Sequence, residues 1–306
     1  MILVTGGLGM IGAHAADVLV DLGHDVVVTG HRSVELPSFL VGRVAVEALD
    51  VTDRSAFLAL GDRYDVSDIV HLAGSVPGTD PVSFIRSDMT GLLNALDAAR
   101  IWGVRRFAVA SSIGVYSGRT EIPWHEELAL PPAELPHLIV ALKKAVEPIT
   151  THVLRGSGVQ PILLRVGSTW GPLMAPESPF NFIPSYTGAL LRGEQPPPLY
   201  ADDGGDFCYA PDAGRAIALL TTAPSLRHDT YNVSSGRRYT NREVAQALEA
   251  TAHGTRIELR HGRQRGPGTD PYLDIARLVE ETGFAPEFDV ARAVDHYVTW
   301  RTTNPR

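Results

Sequence analysis

The sequence predicts an α/β protein: a doubly wound parallel sheet with a smaller, irregular lobe toward the C-terminus. Short β-branched runs alternate with helical stretches over roughly the first 165 residues, the pattern of parallel sheets covered by helices. A glycine-rich turn joins the first apolar run to the first helix. Past Gly171-Pro172 the texture becomes rich in proline and aromatics: Pro176, Pro179, Phe180, Phe182, Pro184 and Pro196 to Pro198.

The elements follow in order. Ile2, Leu3 and Val4 read as a strand, and Thr5-Gly6-Gly7-Leu8-Gly9-Met10-Ile11-Gly12 follows as a turn. Over 13–22, Ala15, Ala16, Leu19 and Leu22 recur at helical spacing, and Gly23 is the stop. Residues 26–29 make a second strand, so about 30 residues form a βαβ unit with a right-handed crossover. Further strands are expected at 44–46, 69–72, 107–110 and 162–166, with helices at 87–102 and 137–154. Pro148 falls inside the latter helix and is expected to kink it. Tyr231-Asn232-Val233 returns a strand to the core, and Thr240 with Glu243 forms a capping box for a helix over 241–252. The expected division is a dinucleotide-binding domain over 1–168 with a return near 206–234. The lobe then takes 169–205 and 235–306.

Composition narrows the function classes. The 306 residues carry a net charge of −8, against the basic face that nucleic-acid binding needs. A single cysteine, Cys208, excludes an internal disulfide framework and a thiolate metal cage. His125-Glu126-Glu127 lacks the second histidine of a zinc helix, since Ala129 stands there, and no metal is expected. No basic leader precedes the first strand and no apolar run is long enough to span a bilayer, so the expected location is the cytoplasm, with no membrane partner. Lys143 and Lys144 are the only lysines among 27 basic residues, which points to a specific use at that spot.

Gly7, Gly9 and Gly12 stand where a dinucleotide fingerprint needs them, after a strand and opening a helix. Gly7 permits the tight turn, Gly9 lets backbone N–H groups approach a pyrophosphate, and Gly12 lets helix and strand pack closely. At the tip of the second strand, Val28-Thr29-Gly30-His31-Arg32-Ser33 offers no acid for a ribose. Arg32, helped by Thr29, His31 or Ser33, suits a 2′-phosphate, which favours NADPH with NADH as the alternative. Asp50 and Val51 are placed beside the adenine.

These residues resemble the extended short-chain dehydrogenase/reductase family, a Rossmann-type fold. Thr5 to Gly12 is similar to its TGxxGxxG loop, His71-Leu72-Ala73-Gly74 to its fourth-strand motif, and Ser111-Ser112-Ile113-Gly114-Val115-Tyr116 to the stretch bearing its catalytic Ser/Thr. Leu164-Arg165 with Gly171-Pro172 resembles the passage into the substrate lobe, and Asp206-Phe207 with Asp212 a later block. The resemblance covers essentially the whole chain. It implies cofactor contacts from Thr5, Gly6, Gly7, Gly9, Met10, Ile11, Gly12, Leu72, Ala73, Gly74, Ser111, Lys143 and Arg165, and a homodimer through the helices at 87–102 and 137–154. It also implies a Tyr-x-x-x-Lys pair, in which tyrosine protonates the carbonyl oxygen and lysine holds the nicotinamide ribose. Here Lys143 takes the lysine place and puts Ile139 where tyrosine belongs; sliding to Lys144 puts Val140 there. The tyrosine is absent. Ser112 and Lys143 remain as the catalytic pair.

Many members of that family act on nucleotide sugars, and the resemblance places Ser168 and Gly205 where their diphosphate anchors stand. Neither is charged, although Arg263 and Arg265 lie downstream. Tyr116, Ser168, Trp170, Met174, Phe180, Phe182 and Tyr186 instead suggest a lining for a flat, poorly charged ligand. The leading expectation is therefore a ketoreductase acting on an aromatic, angucyclinone-like polyketide ketone, whose own phenol supplies the proton. Two alternatives are a nucleotide-sugar epimerase or dehydratase with a displaced acid, and a non-catalytic NADP-sensing relative.

Overall fold

The computed structural model describes residues 1–178, 180–251, 256–264 and 270–304. Strands and helices alternate first as β1 (Ile2–Thr5), α1 (Met10–Asp21), β2 (Val26–Gly30), β3 (Ala45–Ala48), α2 (Arg54–Leu58), β4 (Asp68–His71), α3 (Pro81–Trp102), β5 (Arg106–Ala110), α4 (Leu138–Leu154) and β6 (Gln160–Val166). There follow β7 (Ser168–Trp170), α5 (Ile183–Leu191), β8 (Leu199–Tyr200), β9 (Gly204–Tyr209), α6 (Ala210–Thr222) and β10 (Thr230–Val233). The last elements are β11 (Arg238–Thr240), α7 (Asn241–Thr251), β12 (Leu259–Arg260), α8 (Ala276–Thr282) and α9 (Val290–Thr303).

Seven strands form one parallel sheet in the order β10-β6-β5-β4-β1-β2-β3. The chain winds one way from β1 to β3 and the other way from β4 onward, so the reversal falls between β1 and β4. Ligands bind open α/β sheets outside the carboxyl ends of the strands at such a reversal. Both faces are covered: Ala13, Ala16 and Leu19 of α1 with Ala213, Ala216 and Ile217 of α6 on one, and Leu92, Leu96, Leu142 and Val146 of α3 and α4 on the other. Burial on two faces explains why these strands read as unbroken apolar runs.

Helix α3 begins at Pro81 rather than near residue 87, because the Asp80 carboxylate accepts the Val82 N–H at 3.0 Å and proline fits the first helical position. Helix α4 continues through Pro148 to Leu154. The expected capping box of α7 is formed: Glu243 Oε2 accepts the Thr240 N–H at 2.7 Å, and the Glu243 N–H donates to Thr240 Oγ1 at 3.2 Å. Ala252, placed in that helix by the sequence, lies outside the described residues, as does Pro179.

Two smaller sheets, β11-β9-β7 and the β12-β8 ribbon, stand apart from the main one. Around them Trp170, Met174, Tyr186, Tyr209 and Tyr297 pack as a separate core. Among the described residues no helix is long and apolar enough to cross a membrane.

Candidate functional site

A cleft of about 380 Å³ opens beyond the carboxyl ends of β1, β2 and β4. Its floor is the turn after β1. Gly6 sits at φ +67°, and a Cβ on Gly12 would strike the Gly6 carbonyl oxygen, so only glycine lets the first turn of α1 pass this close. The N-terminus of α1 presents backbone N–H groups lacking intrahelical partners, a ready anion site.

Of the residues expected to hold a cofactor, Gly6, Gly9, His31, Ser33, Asp50, Val51, Leu72, Ala73 and Gly74 line this cleft. Others shape it from behind. Gly7 and Gly12 are buried packing positions, Thr5 Oγ1 is 2.8 Å from His71 Nδ1, and Met10 and Ile11 pack into hydrophobic clusters. Arg32 is exposed and is not among the lining residues, so its expected 2′-phosphate contact finds no support in the cleft. Asp50 does line it; hydrogen bonds from the Thr52 hydroxyl and N–H, at 2.7 and 2.9 Å, hold its carboxyl below the usual range. Ser75, Ser87 and Asp88 are lining residues that the sequence reading missed. Ser75 donates to Asp88 Oδ1 through its N–H at 3.1 Å and its hydroxyl at 2.6 Å.

Beyond β5, Ser112 Oγ accepts the Gly114 N–H at 3.0 Å, which leaves its own proton to donate elsewhere. Lys143 Nζ donates to the Ala110 carbonyl at 2.7 Å. Burial lowers the Lys143 pKa, and the charge of Asp88 partly restores it. Lys144 is tied differently, to the carbonyls of Pro131 and Glu134. Ile139 is half-buried against the core between α3 and α4. Val140 is fully buried with its Cγ2 only 2.7 Å from where a Cβ on Gly114 would stand. No proton donor occupies either position.

Ser111, Arg165 and Tyr116 do other work. The Arg165 guanidinium pairs with both oxygens of Glu147, at 3.0 and 2.8 Å, and Ser111 donates to Glu147 Oε1 at 2.5 Å. Burial alone would lower the Arg165 pKa, but the bonds and charge of Glu147 outweigh it and raise it. Tyr116 donates to Asn232 Oδ1 at 2.8 Å, accepts from Arg165 at 2.8 Å, and burial pushes its pKa up to about 12. Ser111 and Arg165, expected at the cofactor, and Tyr116, expected at the substrate, are joined here in a buried polar network that ties α4, β6 and β10 together.

A second cleft, of about 540 Å³, opens past β5, β7 and β9. Ser168, Phe180 and Phe182 line it as expected from the sequence, joined by Gly114, Trp124, Tyr200, Asn241, Arg260 and Gln264. Trp170, Met174 and Tyr186 do not; all are buried, Trp170 packs on Tyr209 and Tyr297, and the Tyr186 hydroxyl donates to the Pro197 carbonyl at 2.8 Å. Arg263 is engaged by Asp270, and Arg265 lies outside the described residues.

A seven-stranded parallel sheet with a glycine-turn cleft at its reversal and a second cleft beside it defines a Rossmann-type α/β protein. The chain belongs to the NAD dependent epimerase/dehydratase family, whose model matches residues 2–234. It is 27% identical to the dTDP-glucose 4,6-dehydratase of Streptomyces griseus, covering 98% of this chain and 93% of that one. It is 24% identical to the UDP-glucuronate 4-epimerase of Thermodesulfobacterium geofontis, covering 99% and 96%. The structure of UDP-glucose 4-epimerase from Bifidobacterium longum in complex with NAD+ and UDP superposes with a TM-score of 0.82 at 23% identity, over 99% of this chain and 98% of that one. The expectation of a ketoreductase for an aromatic polyketide is overturned: the relatives are nucleotide-sugar enzymes, and three of the apolar residues it rested on are lobe core.

Proposed function

We propose that this chain binds a nicotinamide dinucleotide in the glycine-turn cleft and acts at carbon 4 of a nucleoside-diphosphate sugar held in the second cleft. The observation that carries this reading is the adjacency of the two clefts: residues following β4 line one, residues following β5 line the other, and β4 pairs with β5. Relatives named for 4-epimerisation and 4,6-dehydration support carbon 4 as the reacting centre. Asp50 in the cleft wall and Arg32 outside it favour NAD over the NADPH expected from the sequence. Exposed Leu93 and Ile101 on α3 support pairing of two copies through α3 and α4.

The turn after β1 fits the cofactor's pyrophosphate, with Asp50 and Val51 near its adenosine end. Bound there, nicotinamide supplies a reversible hydride acceptor. Handling the hydroxyl proton falls to the chain. Ser112 donates a hydrogen bond to the reacting oxygen, and Lys143, desolvated so that it gives up its proton more readily than a free lysine, accepts the proton. General acid–base catalysis by a well-placed side chain is worth about 10²–10⁴-fold, and Ile139 supplies none of it.

The test incubates the full chain and NAD with UDP-glucose, UDP-glucuronate or dTDP-glucose and reads products by NMR. A 4-epimer or a 4-keto product from any of the three is expected; none from all three overturns the proposal. Ile139 favours a second reading, ligand binding without turnover, which predicts bound sugar nucleotide and no product.

A further inference from the structure

We propose that Arg260 anchors the phosphates of the nucleotide in the second cleft, an inference that rests on the nucleotide-sugar reading above. The positions where charged or amide anchors were expected from the family resemblance are Ser168 and Gly205, and neither carries a charge. Nearby guanidinium groups are already engaged. Arg263 pairs with Asp270, and Arg238 Nη2 pairs with the same carboxylate at 2.8 Å. Arg237 pairs with Glu243 at 2.7 Å.

Arg260 differs. Among the described residues it is the one guanidinium lining the cleft, and no carboxylate contacts it. Its side chain is exposed, with Cζ 5.7 Å from the centroid of the Tyr200 ring. The backbone beneath is fixed on both sides: the Leu199 N–H donates to the Glu258 carbonyl at 3.0 Å and the Ala201 N–H to the Arg260 carbonyl at 2.9 Å. Asn241 Nδ2 secures the opposite strand through the Tyr200 carbonyl at 3.0 Å. The β8–β12 register sets Arg260 directly across from Tyr200, so the ring holds the cation over the cleft without neutralising it.

A planar guanidinium grips phosphate oxygens as a fork, and one with no carboxylate partner breaks no ion pair to do so. The net charge of −8 makes such a local cation more important, since the protein as a whole repels a dianionic ligand. The chain thus replaces anchors at β7 and β9 with one reaching in from β12.

The test is calorimetric titration of the NAD-supplemented full chain with UDP, dTDP and uridine, in wild type, Arg260→Ala and Arg260→Lys. Arg260→Ala is expected to bind UDP about 10- to 100-fold more weakly, with a shallower salt dependence and unchanged uridine affinity. Arg260→Lys, which keeps the charge and loses the fork, falls between. Unchanged NAD affinity in both variants reports an intact fold. UDP bound equally by wild type and Arg260→Ala overturns the role of Arg260 and leaves the nucleotide-sugar reading standing. Wild type that binds neither UDP nor dTDP at millimolar concentration overturns that reading, and this inference with it.

Discussion

Lys143 Nζ stands 2.7 Å from the carbonyl oxygen of Ala110, pinned at the carboxyl end of β5 two residues before Ser112. A long, flexible side chain is thereby fixed at the carboxyl edge of the sheet, one helical turn from an aliphatic residue at 139.

That placement predicts a pH signature. Burial lowers the Lys143 pKa, so the neutral amine becomes populated at lower pH than for a free lysine at 10.5. If the amine accepts the substrate proton, kcat rises with pH through that lowered value. Arg in its place stays protonated throughout. Lys143→Arg should flatten the kcat–pH profile and cut the rate by roughly 10²–10⁴-fold.

Tyr116 is expected to be silent in catalysis. Its hydroxyl is consumed by Asn232 and Arg165, and its pKa lies up at about 12. Tyr116→Phe should leave kcat and its pH dependence unchanged while lowering unfolding free energy by about 1–3 kcal/mol, because buried partners lose a bond. A hundredfold loss of kcat in a stably folded variant would return Tyr116 to the site.

The Glu147–Arg165 pair is buried and bidentate, so it is costly to break from one side. Glu147→Ala leaves a guanidinium buried without its counter-ion, which costs about 3–5 kcal/mol. Chemical denaturation should register that loss; a change under 1 kcal/mol would show that water or a neighbour replaces the carboxylate.

Acid should weaken the fold through two buried histidines. Burial, aided by the Lys143 charge, lowers the His71 pKa from 6.5 to about 3, and burial lowers that of His14 to about 4. The native chain therefore binds fewer protons than the unfolded chain below pH 6.5, and stability falls as pH falls. Asp206, raised by burial to about 6, works in the opposite direction between about pH 6 and 3.8. Each histidine contributes roughly 1.4 kcal/mol per pH unit, so His71→Gln should reduce the slope of stability between pH 6 and 4 by about that much.

Much of the sheet was legible because its strands are buried on both faces and read as unbroken apolar runs. What failed was longer in range. Ser87 and Asp88, although inside the expected helix, were missed as cleft residues because the loop after β4 is what meets them, Ser75 donating to Asp88 from thirteen residues away. Tyr116 looked available because its partner Asn232 lies 116 residues away, and Trp170 looked like a pocket wall because its partners Tyr209 and Tyr297 come from β9 and α9. Aromatic spacing does not distinguish a core from a cleft. The two-residue strands β8 and β12, which carry Tyr200 and Arg260, are too short to leave any periodicity.

The central claim is that this chain breaks the C4–H bond of a nucleotide sugar with no tyrosine at position 139. Single-turnover rates of UDP-glucose and dTDP-glucose, each with hydrogen or deuterium at C4, measure that step on the NAD-supplemented chain. A slower reaction of the deuterated sugar is the predicted result. Equal rates, or sugars recovered unchanged, would contradict it.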